Sequence, residues 1–238
     1  MSAFLYGLAL QWKLDIRSKA MLITCYLIPL VFYVFIGGIF TSLTPESKDT
    51  MIQGMSIFGV SMGALVGFPS ELMEVYSSSI KKVYKANGVS IMSGVLIHFL
   101  SSFIHLFLMS MIIFVTAPFI FDSALPSNLP AYFGTLIVFI ATTLSIGCIF
   151  GLLLKDQAKL TMFSQIAFMP SIMLSGIMFP VKLLPNALIY IGKIFPASWA
   201  FEATTSDKFN LLLWLPMIAI LLISFAICAF LLSKKRKD

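Results

Sequence analysis

Six stretches of the chain are apolar and free of Asp, Glu, Lys and Arg: Met21–Thr41, Met51–Pro69, Ser90–Pro118, Ala131–Leu154, Leu160–Phe179 and Leu211–Ser233. A helix needs about 20 such residues to cross the hydrocarbon of a bilayer, so each stretch predicts a membrane-spanning helix. The third is long enough to tilt strongly or to extend beyond the membrane. Ahead of the first span, Leu5, Leu8, Trp12 and Ile16 recur at helical spacing, with Lys13, Asp15, Arg17 and Lys19 on the remaining faces. That pattern predicts a helix over residues 1–20 lying in the membrane interface, with Trp12 at headgroup depth and the basic side chains in water. Between the second and third spans, PSELMEVYSSSIKKVYKANGVS predicts a separate short helix from about Glu71 to Ala86, with Leu72, Val75, Tyr76 and Ile80 as its apolar side. It closes on the turn signal Asn-Gly. From Met169 to Trp199 the apolar pattern is cut by Pro180, Pro185 and Pro196 into pieces too short to cross a bilayer and too apolar to sit free in water. Half-buried or re-entrant helices over 180–199 meet both limits. The class expected is therefore all-α: one polytopic domain, 1–238, of six spans with an N-terminal interfacial helix and re-entrant outer helices between the fifth and sixth.

Composition sharpens this picture. Of 238 residues, 59% are apolar and 11% charged, against about 25% charged in soluble chains. Twelve of the sixteen Lys and Arg fall on one side of the alternating spans: Lys13, Arg17 and Lys19, then Lys81, Lys82 and Lys85, then Lys155 and Lys159, then Lys234 to Lys237. Only Lys48, Lys182, Lys193 and Lys208 fall on the other. The positive-inside rule then places both termini in the cytoplasm of a plasma-membrane protein. The net charge of +6 comes from flanks and tails. It implies anionic lipid at the terminal KKRKD and no nucleic acid. No removable leader is expected at the N-terminus. Glu202, Asp207 and Lys208 read as exposed loop charges.

Candidate chemistry is sparse. Gly59, Gly63 and Gly67 share one face of the second span, and Gly147 with Gly151 repeats the spacing in the fourth; both are helix-packing surfaces, within the chain or between two copies. The two histidines, His98 and His105, share a face of the third span with Ser101 and Ser102. Polar groups at membrane depth face a bundle interior or a wet cavity, so the strip is either a translocation path or structural glue. The spans hold no carboxylate for ion coupling. Cys25, Cys148 and Cys228 lie in apolar runs at unrelated spacings, which fits neither a disulfide framework nor a metal site. There is no GxxxxGK[ST] phosphate loop, acid pair or nucleophile–base arrangement, so neither a catalytic residue nor a bound cofactor is expected on this chain.

The run SGIMFPVKLLPNAL, followed by FPASW, resembles the region after the fifth span of type-2 ATP-binding-cassette (ABC) transporter permeases. That resemblance implies a permease subunit that is not an enzyme. It further implies pairing with a second copy or a homologous permease, and driving by two cytoplasmic ATPase subunits that bind ATP and Mg. Residues 71–88, with Glu71, Glu74, Ile80, Lys81, Lys82 and Lys85, would then dock on the ATPase. Pro180, Pro185, Pro196 and Trp199 would belong to the outer gate. Short outer loops and an apolar interior favour export of a hydrophobic or amphipathic drug or antimicrobial peptide. Alternatives are export of lipid, glycan or ions or, in another class, an intramembrane enzyme or sensor built on His98 and His105.

Overall fold

The computed structural model describes residues 3–43, 45–77, 90–206 and 210–237. They form helices α1 (Ala3–Arg17), α2 (Lys19–Ser42), α3 (Met51–Tyr76), α4 (Ile91–Phe121), α5 (Leu129–Leu153), α6 (Gln157–Met173), α7 (Asn186–Gly192), α8 (Pro196–Thr205) and α9 (Trp214–Lys237), with no strand among the described residues. Five of them, α2 to α5 and α9, are long and apolar enough to cross a membrane. The protein is a polytopic all-α membrane protein.

Local chemistry sets the boundaries. Ser18 separates α1 from α2 and caps α2, its Oγ accepting from the Met21 amide at 3.3 Å. Asn128 and Asp156 cap α5 and α6 in the same way, accepting from the amides of Ala131 and Lys159. Asp122, in the left-handed conformation, stops α4.

Two expected boundaries move. The second span does not end at Pro69: α3 runs unbroken past it, so Glu71 and Glu74 belong to the end of a spanning helix rather than to a separate cytoplasmic one. Proline at position i lacks an N–H and its ring collides with the carbonyl of i−4. Here that carbonyl is Leu65, inside the π-turn Gly63–Gly67, whose wider ring relieves the collision. Pro29 in α2 is accommodated likewise, with Cys25 inside the π-turn Ile23–Leu27. The fifth apolar stretch, by contrast, stops being helical early. At 17 residues α6 is about 25 Å long, because the chain turns at Leu174 to Gly176, where Gly176 takes φ +94°.

Helix α3 is the axis of the bundle, every residue from Met51 to Ser61 being buried. It packs against α2, α4, α5, α6 and α8, and α9 closes on the far side of α5. The direction of α6 along α3 follows from three contacts. Gln157 donates to Ser70 Oγ at 3.3 Å, Phe168 meets Phe58 edge-on, and Ile177 lies against Gly54. The two helices are antiparallel, and the bundle has two ends. One carries α1 and the tip of α3; the other carries residues 45–50, 122–128 and 174–205.

Between apolar helices there is little hydrophobic gain in lipid, so close backbone approach and hydrogen bonds must hold them. Tyr33 meets Thr116 at 3.1 Å, Tyr132 meets Ser56 at 2.8 Å, and Trp214 Nε1 donates to Thr135 at 3.0 Å. The Tyr132–Ser56 pair is buried. Tyr132→Phe should lower stability by about 1 kcal/mol, measured by thermal melting in detergent, and Ser56→Ala in the same background should cost little more.

Candidate functional site

The polar strip of α4 is where sequence and structure differ most. His98, Ser101, Ser102 and His105 are all buried, but Ser101 and His105 face α1 rather than an open cavity. Asp15, expected on a face away from the membrane-facing side chains, is buried against this strip at 6% exposure. Its Oδ2 accepts from Ser101 Oγ at 2.5 Å and its Oδ1 from Gln11 Nε2 at 2.7 Å. His105 Nε2 lies 3.9 Å from the same Oδ2, and His105 Nδ1 is 2.7 Å from the Tyr26 hydroxyl. Trp12 stacks flat on the imidazole, with ring centroids 4.0 Å apart and planes 5° apart. The apolar stretches read from the sequence hold no carboxylate, and α1 supplies one to this strip. Helical periodicity puts Asp15 with Leu8, Gln11 and Trp12, on the opposite side from Lys13 and Arg17, so its position relative to Trp12 was one available signal of its burial. The polar strip itself, which had to find a partner somewhere, was another.

At the tip of α3, Leu72 and Tyr76 pack inward while Glu74 is exposed. Glu71 is partly covered, with one carboxylate oxygen buried and without a hydrogen bond among the described residues. Ile80, Lys81, Lys82 and Lys85, the remaining candidates for ATPase docking, lie outside the described residues.

At the other end, the prolines divide the chain as their chemistry requires. Pro180 precedes a single 3₁₀ turn (Val181–Leu183), Pro185 precedes α7, and Pro196 opens α8. The tight turn between α7 and α8 is held by side chains. Ser198 Oγ donates to the Gly192 carbonyl at 2.7 Å, Trp199 Nε1 donates to the Lys193 carbonyl at 2.7 Å, and Lys193 Nζ sits 4.8 Å over the Trp199 ring. Glu202 is on helix α8, 3.9 Å from Lys193, and is not a loop charge; Asp207 and Lys208 lie outside the described residues. The small residues Ala197 and Ala200 bury α8 against α5 and α3. Helix α7 is apolar yet exposed: Leu188, Tyr190 and Ile191 have no cover.

The glycine stripes pack within the chain. A Cβ at Gly59 would lie 2.6 Å from Met109 Cε, one at Gly63 would strike Leu106, and one at Gly67 would come within 3.1 Å of Thr24 Oγ1. The stripe on α3 thus admits α2 and α4. Gly147 and Gly151 bring α5 onto the backbone of α3 at Ala64 and Pro69.

A helical bundle with exposed apolar flanks, a helix clasped at one end and a proline-broken helical hairpin at the other is the build of a membrane transport subunit. The sequence agrees at family level: residues 3–209 match the ABC-2 type transporter family, and the chain belongs to it. It is a transmembrane subunit of an ABC transporter, from a family that works with an ATP-binding subunit. No curated protein matches the chain.

Proposed function

We propose that this chain is the permease of an ATP-driven exporter in the plasma membrane, with both termini cytoplasmic and α6 as the fifth of six spans. The observation that carries the reading is the unbroken path through α3. Glu71 and Glu74 sit at one tip, and 20 residues earlier Gly54 lies against Ile177 and Phe201 of the outer hairpin region, about 30 Å away. A push at the α1 end therefore reaches the opposite end through one buried rod, with the π-turn Gly63–Gly67 as its compliant point. ATP and Mg act on two copies of the partner ATPase, which docks at residues 71–88. Pro180, Pro185, Pro196 and Trp199 shape the outer gate. The strip His98, Ser101, Ser102 and His105 serves first as the seat of α1.

A second permease subunit packs along α6. That helix exposes Gln165 together with Met162, Phe163, Ile166, Met169 and Met173. An amide facing lipid would leave its donors and acceptors unmet at a cost of about 1 to 3 kcal/mol, so Gln165 fits a subunit contact or a wet path. The substrate class that fits the apolar interior is a drug or antimicrobial peptide, with lipid, glycan or ion export as alternatives. An intramembrane enzyme on His98 and His105 is disfavoured by the packing of Trp12 over His105. Reconstituted vesicles test the reading: uptake of a peptide antibiotic should require both ATP and the ATP-binding subunit. Uphill transport by this chain alone would overturn it. Gln165→Cys should cross-link between copies in the membrane, as read on a non-reducing gel.

A further inference from the structure

The cluster beneath α1 is unfinished in one respect. His105 is 1% exposed, its Nδ1 is engaged by Tyr26, and its Nε2 has no hydrogen bond among the described residues. Facing Nε2 at 3.9 Å is the Asp15 carboxylate. A carboxylate opposes a donor more favourably than a lone pair, so the neutral ring carries its proton on Nε2 and accepts from the Tyr26 hydroxyl at Nδ1. Such a ring has room for one more proton. A proton arriving from water would join Nδ1, and the Tyr26 hydroxyl would turn from donor to acceptor. The resulting cation would then face Asp15 on one edge and Trp12 across its plane.

We propose that His105 and Asp15 form a proton-binding clasp that fastens the N-terminal helix α1 to α4, tightening when the proton is bound. Asp15 is already held by Ser101, one helical turn from His105. A shift of about 1 Å would bring it within hydrogen-bond distance of Nε2, so the clasp has a looser and a tighter position. Among the described residues, Asp15 from α1 and Tyr26 from α2 meet the imidazole, while Cys25 of α2, Glu71 at the tip of α3 and His98 of α4 interact with Asp15. Lys13 and Arg17 of α1 are exposed. Among these only Asp15 presents a carboxylate oxygen to Nε2. The clasp needs no ATP-binding subunit, so it stands or falls separately from the transport reading.

Trp12 reports on the site directly, because an imidazolium stacked on an indole quenches its emission. In the purified chain carrying Trp199→Phe and Trp214→Phe, Trp12 emission should fall as pH is lowered from about 8 to about 5. His105→Gln in that background should abolish the fall, and Asp15→Asn should move its midpoint to lower pH. Should the double-Phe chain not be recovered folded, the difference between wild-type and His105→Gln titrations isolates the same signal. A flat titration, or one that persists unchanged without His105, would overturn the clasp.

Discussion

Gly147→Val should prevent the folded permease from accumulating in the membrane. At this position α5 lies directly on the backbone of α3: a Cβ would overlap the Ala64 carbonyl oxygen and come within 3.2 Å of Phe68 Cδ1. A side-chain neighbour can rotate away, but a carbonyl inside the π-turn of the central helix cannot. Gly151 adds a second approach, 2.9 Å from the Pro69 carbonyl oxygen. Even Gly147→Ala should cost about 1 to 3 kcal/mol through overpacking, and valine more. Gly38→Ala is the matched control. Its Cβ would meet only Phe121 Cε1, at an ordinary 3.8 Å, while alanine gains up to about 1 kcal/mol of helix propensity. Thermal melting of both variants in detergent separates the cases. If the two melt alike, the close α3–α5 contact is wrong.

Gly176→Val should disable transport as well as lower stability. The φ of +94° at Gly176 is one that L side chains rarely adopt, at a cost of about 1 to 3 kcal/mol for such strain. Its Cβ would also press on Val181 Cγ2 at 2.9 Å and Phe201 Cδ1 at 3.2 Å. Those contacts join the turn after α6 to the 3₁₀ turn Val181–Leu183 and to α8, where Gly54 of α3 also touches Phe201. In vesicles, the complex of the variant with the ATP-binding subunit should hydrolyse ATP without moving substrate. Gly54→Ala, whose Cβ would make ordinary contacts of 3.4 and 3.6 Å with Ile177 and Phe201, should transport nearly as wild type. Coupled transport by Gly176→Val would remove the turn at Gly176 from the mechanism.

Much of this architecture was legible because membranes make local rules strict. A charge-free run of about 20 residues must cross or be buried, so α2 to α5 and α9 could be placed from the pattern alone. Pro180, Pro185 and Pro196 marked the breaks between the 3₁₀ turn, α7 and α8 for an equally local reason. Where the structure departs from the pattern, two of the answers are local backbone devices and the third is a distant partner. Pro69 should have ended α3, but a π-turn absorbed it. In Leu160 to Phe179 the helix ends earlier than the apolar run, at Met173, because Gly176 turns the chain. Asp15 was grouped by charge with the exposed cations of α1, but its partners Ser101 and His105 lie some 90 residues away in sequence.

The sequence alone determined which segments are helical and apolar, that polar side chains on α4 needed partners, and that the glycine faces invited close approach. Only the tertiary structure decided who those partners are: α1 on the polar strip, α2 and α4 on the glycines of α3, and α3 beneath Gly147 and Gly151. The physical reason is that hydropathy and helical period are properties of a segment. A hydrogen bond or a backbone contact belongs to a pair, and its second member is set by how the whole bundle packs.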